Sequence, residues 1–230
     1  MHKKYFAPGW LLLILLSSSV FTNTVNADCD DNRFPGMDWS GCKKMNKMLD
    51  NQNFSGSKFD NANLSLSNLD NSNFTGASLV KTDLTRASLN QSIFSQADLT
   101  KSVGYRASFN GATISKTSMT KSEFSRASFQ GAEFEKVDWS RAELGRANFS
   151  NARLKDVNFE YSNLSRAIFN GAKLTNVNFS GAYTYLTHFE NVDLRMTSKL
   201  SQAQLEKACG NDNTQLPQGL ERPASWHCSE

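Results

Sequence analysis

The chain has 230 residues, 25 lysines and arginines against 22 aspartates and glutamates, a formal charge of +3, and 39% hydrophobic residues. That near balance excludes any argument from bulk charge to a particular partner, so an electrostatic signal must lie in how the charges are arranged. The cysteine count is even, at Cys29, Cys42, Cys209 and Cys228, which in an exported chain favours disulfides over reactive thiols.

Residues 1–27 open with His2, Lys3 and Lys4, pass through the apolar core WLLLILL at Trp10 to Leu16, and end in VNA at Val25 to Ala27. This is the layout of a secretory signal peptide cut after Ala27, and it implies export, to a periplasm or out of the cell. A membrane anchor is the competing reading, but the apolar core falls far short of the roughly 20 residues a span needs. Asp28 sits where a small residue would have to precede a lipid-modified Cys29. Export leaves about 200 residues, enough for one domain with one sizeable core.

Residues 28–51 contain CDDNRFPGMDWSGC, running from Cys29 to Cys42 and carrying Phe34 and Trp39. This segment is expected to be a small disulfide-closed plug over one end of whatever follows.

Residues 52–196 have a period of five. Stepping by five from Phe54 to Leu194 visits 29 positions, all Phe, Leu, Ile, Met or Trp except Gly104 and Thr184. Two residues ahead of each, the chain has Ala, Ser, Thr or Val, with Gln52 as the one exception. Neither a helix nor a strand returns a side chain to the same direction every five residues, so a fixed short period over such a length marks a solenoid. In Ala127-Ser128-Phe129 an extended chain points the outer two inward and Ser128 outward. Gln130 and Gly131 must then turn the chain, and Gly56, Gly76, Gly111, Gly131, Gly171 and Gly181 all fall at that second turn position. Corner residues recur at twenty, as in Arg86, Arg106, Arg126, Arg146 and Arg166, which makes four sides per coil the economical reading.

The units ANLSL at 62–66, ADLTK at 97–101, AELGR at 142–146 and ANFSN at 147–151 resemble the repeat of the pentapeptide-repeat family, Ala-(Asp/Asn)-Leu-x-x. The resemblance implies an all-β fold, a right-handed quadrilateral β-helix, here of about seven coils. It also implies one functional reading: some members bind DNA gyrase by mimicking the shape and negative charge of duplex DNA, which would make this chain a topoisomerase modulator. The chain departs from that picture in its signal peptide, its lack of net acidity and its patterned basic face.

Residues 197–230 are expected to cap the last coil with a short helix and a tail. LSQAQLEKACG at 200–210 has Ser201 as N-cap with Gln204 three residues on, Leu200 and Leu205 as a hydrophobic staple, and Gly210 to end the helix. Trp226 is the expected anchor of the tail. The two cysteine clusters lie at opposite ends of the rod, which excludes four-thiolate zinc ligation and points to the pairs Cys29 with Cys42 and Cys209 with Cys228; free thiols are the alternative.

Chemistry finds little support. Beyond the signal peptide only His188 and His227 remain, without metal-ligand or nucleophile spacing, so no catalytic residue, metal, cofactor or small-molecule substrate is expected. Asp83, Glu123, Glu133, Asp138 and Glu143 are expected as surface ion pairs with the basic corners. Gly104 and Thr184 are expected to mark local distortion, with Tyr105 and Tyr185 rearranged. The one patterned surface feature is a pair of basic columns, Lys81, Lys101, Lys121 and Arg141 on one edge of a side and Arg86, Arg106, Arg126, Arg146 and Arg166 on the other. They suggest a docking strip for an acidic protein surface or a phosphorylated envelope glycan. The competing reading is that corners need solvated residues and duplication copied them. Nucleic acid ranks lower, because only Tyr105 and Tyr161 stand near the strip as stacking aromatics.

Overall fold

Each five-residue unit is one short extended side followed by a tight turn. On most sides the amide three residues beyond the central residue returns to that residue's carbonyl, as Ala62 N does to Phe59 O at 2.8 Å and Ala87 N to Leu84 O at 2.9 Å, whereas the turns that follow Phe94, Ile114, Phe134, Leu154 and Leu174 are open bends. The third turn residue takes a left-handed φ, +58° at Asn61 and +66° at Gly76, the signature of a type II turn. The computed structural model describes residues 29–30, 33–224, 226 and 228; residues 1–27, expected to be a signal peptide, and His227 lie outside the described residues.

Four units bring the chain back over its own start, so parallel bridges join residues twenty apart along the whole rod. On one side the pairing forms a parallel sheet in the order β1 (Ile93–Ser95), β2 (Thr113–Ser115), β3 (Glu133–Glu135), β4 (Arg153–Lys155) and β5 (Lys173–Thr175). Another series of bridges steps from Asp38 to Asn178 and ends where β6 (Val177–Asn178) pairs with β7 (Thr197–Ser198). The fold is the expected quadrilateral β-helix, with eight coils in that series. Rings in successive coils stack with centroids 5.1, 5.0 and 4.9 Å apart along Phe109, Phe129, Phe149 and Phe169, close to the spacing of neighbouring strands.

All 29 central positions are buried, Gly104 and Thr184 included. At the small inward position two residues earlier, hydroxyls substitute for Ala, and every one but Ser57 finds a carbonyl. Thr82 Oγ1 donates to Phe59 O at 2.7 Å, and Thr187 Oγ1 to Leu164 O at 2.7 Å. Ser57 Oγ, in the second coil, is buried without a partner.

The two central exceptions do not distort the rod. Bridges pass regularly through Asp83, Val103 and Glu123 on either side of Gly104. The room left by its missing side chain is occupied by the ring of Phe124 from the following coil, which a Cβ on Gly104 would overlap. Thr184 Oγ1 donates to Gln204 O at 2.8 Å and so fastens the C-terminal cap to the last coil.

At the first end the coil begins earlier than Gln52. Asp38, Lys43 and Met48 bridge to Lys58, Asn63 and Asn68, so most of the segment expected to be a plug is itself the first coil. Trp39, 1% exposed, fills its core, whereas Phe34 is 53% exposed and plugs nothing. The cover is the chain around Cys29 and Asp30, held by the Cys29–Cys42 disulfide. Trp39 Nε1 donates to Asp30 O at 3.1 Å, and Lys44 Nζ, from a buried central position, donates to Cys29 O at 2.6 Å.

At the other end α1 (Gln202–Leu205) starts at Ser201 with the expected capping box. It stops at Glu206, four residues before Gly210. Gly210 serves another purpose: a Cβ there would meet the Trp226 ring at 2.6 Å, so its bare backbone makes room for the tail anchor. Trp226 is 3% exposed, and the Cys209–Cys228 disulfide pins the tail. Among the described residues no helix is long and apolar enough to cross a membrane.

Candidate partner-binding face

The side in question carries Asp83, Val103, Glu123, Glu143, Asn163 and Tyr183 outward in successive coils, in register by their bridges. Its two edges are corners. Lys81, Lys101, Lys121 and Arg141 precede it, and Arg86, Arg106, Arg126, Arg146 and Arg166 follow it; all nine are exposed. The structure therefore assembles the columns in the arrangement expected from the twenty-residue recurrence.

All nine sit at the third turn position, with φ between +56° and +61°. Glycine or asparagine occupies that conformation most cheaply, and a lysine or arginine there, with its Cβ close to the following carbonyl, costs about 1 kcal/mol more. The corresponding turns of the next side use Gln91, Gly111, Gly131, Asn151 and Gly171. Along each column like charges recur at coil spacing, where two unit charges repel by about 0.9 kcal/mol even at the dielectric of water, before splaying and salt reduce it.

The expected ion pairs between these corners and the outward carboxylates do not form. Asp83 Oδ1 accepts from Thr85 N at 2.9 Å, Asp138 Oδ1 from Ser140 N at 2.9 Å, and Glu143 Oε2 from Asn163 Nδ2 at 2.8 Å. These carboxylates bond within their own faces. Glu133 does pair, but with Arg153 across coils at 3.9 Å, beside Glu135 with Lys155 at 3.0 Å. Lys155, hydrogen-bonded to it, holds the Glu135 carboxyl below its ordinary value and is itself raised. Among the described residues none of the nine column cations has an ion-pair partner.

At its C-terminal half this face is a groove. Arg126, Arg146 and Arg166 line one edge, Gly145 and Ser165 keep the floor low, and Tyr183 and Tyr185 stand at the end. The two tyrosine rings are near parallel, 16° apart with centroids at 6.2 Å, and are 49% and 44% exposed. Sequence reasoning passed over this pair, although the register places Tyr183 on the same side as Asp83, one hundred residues on. Tyr105 instead lies against the Arg106 guanidinium at 5.2 Å.

Spacing along the chain also concealed a cluster of His188, Glu190 and Cys209, whose ligand atoms fall within 4.8 Å of one another. Cys209 is committed to Cys228, and His188 Nδ1 lies 2.9 Å from Glu190 Oε1. The pair closes the last coil; it is not a set of free ligands.

Comparison with known proteins agrees with this geometry. The model of pentapeptide repeats matches in eight copies over residues 49–86, 82–120, 122–160 and 152–183. Curated proteins give no match. Among solved structures, a trypsin-treated variant of QnrB1, a plasmid-mediated fluoroquinolone resistance protein, is 19% identical, with 77% of this chain and 88% of that one covered and a TM-score of 0.59. HetL, a pentapeptide repeat protein involved in heterocyst differentiation regulation from the cyanobacterium Nostoc sp. strain PCC 7120, is 21% identical over 83% and 87% of the two chains, with a TM-score of 0.30. Likeness at such identities is one of fold. With its repeats matched over more than half of its length, the chain belongs to the pentapeptide-repeat family.

Proposed function

We propose that this protein is a non-enzymatic, exported binding rod that docks an anionic partner along the face between its two basic columns. One observation carries the reading: nine exposed cations stand in register on the two edges of one side, and among the described residues none of them is neutralised by an ion pair. Each occupies a turn position where glycine or asparagine costs less, and each repels its column neighbours. A solvated corner requires neither expense. Export is supported by the signal-peptide pattern and by the two disulfides that close the ends.

Gyrase modulation by DNA mimicry is the reading that the family suggests, and the likeness to a fluoroquinolone resistance protein brings it forward again. Mimicry needs an acidic column. Among the described residues carboxylates occupy no more than two successive coils of any column, as at Asp50 and Asp70 or Glu123 and Glu143, so the anionic-partner reading is preferred.

The test is retention of the full, oxidised chain on immobilised polyphosphate, used as a generic polyanion. Retention is expected to fall steeply with salt and to vanish when Arg106, Arg126 and Arg146 are all changed to Glu, with the circular dichroism spectrum unchanged. Retention that survives this triple reversal overturns the reading. Inhibition or protection of gyrase by the unaltered protein at stoichiometric concentration would put the mimicry reading in its place.

A further inference from the structure

Resting on that reading, we infer that the groove bounded by Arg126, Arg146 and Arg166 and ended by Tyr183 and Tyr185 is a binding site for a linear anionic glycan, laid along the rod with one sugar per coil. Four features of the groove favour this occupant over other polyanions.

The first is the distribution of charge across the face. Cations line its edges, while between them the outward row carries hydrogen-bond acceptors: Asn163 in the groove itself, and beside the groove the carboxylates of Glu123 and of Glu143, which accepts from Asn163 Nδ2 at 2.8 Å. Polyphosphate offers acid groups and no donors, so Glu123 and Glu143 would only repel it. An acidic sugar offers both, an acid group for the arginine edge and hydroxyl donors for the carboxylates between.

The second is the repeat. Coils recur at about 5 Å, as the ring stacks along Phe109, Phe129, Phe149 and Phe169 measure, so one arginine is presented per coil. A six-membered sugar in an extended chain advances by close to one coil, which keeps each acid group in step with each arginine. Phosphates of one strand of duplex DNA rise about 3.4 Å each along the helix axis while winding around it, so they do not follow a straight row of arginines.

The third is the floor. Ser125, Gly145 and Ser165 are all small, and they leave a shallow trough. The fourth is the end wall. Tyr183 and Tyr185 are half exposed although they belong to a coil whose inward residues are fully buried, and an exposed aromatic ring beside a polar trough suits the C–H face of a sugar.

The test measures affinity of the full, oxidised protein for five probes matched in charge: an oligouronate, a sulfated oligosaccharide, polyphosphate, polyglutamate and an oligothymidylate. One of the two oligosaccharides is expected to bind at least about tenfold more tightly than polyphosphate and polyglutamate, and which of them does so identifies the acid group. Changing Tyr183 and Tyr185 together to Ala should lower oligosaccharide affinity about tenfold while leaving polyphosphate retention unaltered. Both tyrosines are exposed, so unchanged melting confirms that the fold is intact. Equal affinity for all polyanions, or indifference to the tyrosine changes, overturns the glycan inference and leaves the basic-face reading standing. Preference for the oligothymidylate overturns it in favour of single-stranded nucleic acid. Failure of every probe overturns both.

Discussion

Replacing Gly104 by Leu would repair the pentapeptide pattern and is expected to destabilise the protein. The column above and below already has Leu64, Leu84, Leu144 and Leu164, yet at Gly104 the space belongs to Phe124. A Cβ on Gly104 overlaps Cε1 and Cδ1 of that ring and lies 3.1 Å from its Cζ. The ring has no direction of retreat, being packed against Phe109 at 5.5 Å and edge-on to Trp139 at 5.6 Å. Overpacking of this kind costs about 1–3 kcal/mol. Phe124→Leu alone empties the same space and loses both ring contacts, for about 2–3 kcal/mol. Together the two changes recreate the regular column, so the double variant should fall within about 1 kcal/mol of the unaltered protein. The expected coupling is therefore about 2–6 kcal/mol, measured by a double-mutant cycle in urea with the disulfides intact and followed by tryptophan fluorescence. Additive single changes, within about 0.5 kcal/mol, would refute the account of Gly104 as half of a pair.

Three further outcomes follow from the same geometry. Ser57→Ala should be neutral or stabilising by up to about 1 kcal/mol, because its buried hydroxyl has no partner, whereas Thr82→Ala should cost about 1–2 kcal/mol by removing the bond to Phe59 O; thermal and urea melts separate the signs. Arg126→Gly should raise stability by about 1 kcal/mol by relieving a left-handed φ of +61°, and equal or lower stability would show that the corner carries no such strain. Asp38 is held below its ordinary value by hydrogen bonding from Ser40, with help from Lys58. Its contribution is thus present above the unfolded carboxylate range and is lost as pH falls through the lower folded value. Asp38→Asn keeps an oxygen for Ser40 N, so the stability gap to the unaltered protein, under about 1 kcal/mol at pH 7, should close toward pH 3 in paired melts.

The inward half of this molecule was legible in the sequence because it is governed by a local rule repeated many times. Phe129 is buried for the same reason as Phe54, and neither depends on a particular distant partner. Errors arose where a residue answers to one specific neighbour twenty positions away or at a chain end. Gly104 read as a distortion because its compensation sits in Phe124, although a Phe in a column of Leu was the available clue. Gly210 read as a helix stop because its use by Trp226 is tertiary. The first coil was missed because Lys44, a lysine at a central position, breaks the hydrophobic pattern; only the carbonyls of Cys29 and Asp30 around its ammonium make it a core residue. The basic columns could be placed from recurrence alone, while their lack of ion pairs could not, since it turns on which way Asp83, Asp138 and Glu143 spend their oxygens.

The duplication account of the arginine column can be weighed within the chain itself. Copying a twenty-residue unit copies everything around the corner as well, and subsequent drift should then loosen all of it together. The residue before each arginine is Thr85, Tyr105, Ser125, Gly145 and Ser165, and the outward residue of the same side is Asp83, Val103, Glu123, Glu143 and Asn163. Those two outward positions have diverged while arginine stands in five successive coils; the core keeps Ala87, Ala107, Ala127, Ala147 and Ala167 after it, and Ser88, Ser108 and Ser128 recur in three of the five. The turn does not demand it: the same corner is Leu66 and Leu186 just beyond the two ends of the column, with φ of +61° and +53°, and the adjacent side supplies Gln, Gly and Asn. A residue kept where its conformation is strained, its neighbours repel it and these two outward positions have drifted is answering to something outside the rod, which is why reversal of charge at Arg106, Arg126 and Arg146 should abolish binding while relief of strain at Arg126 makes the fold more stable.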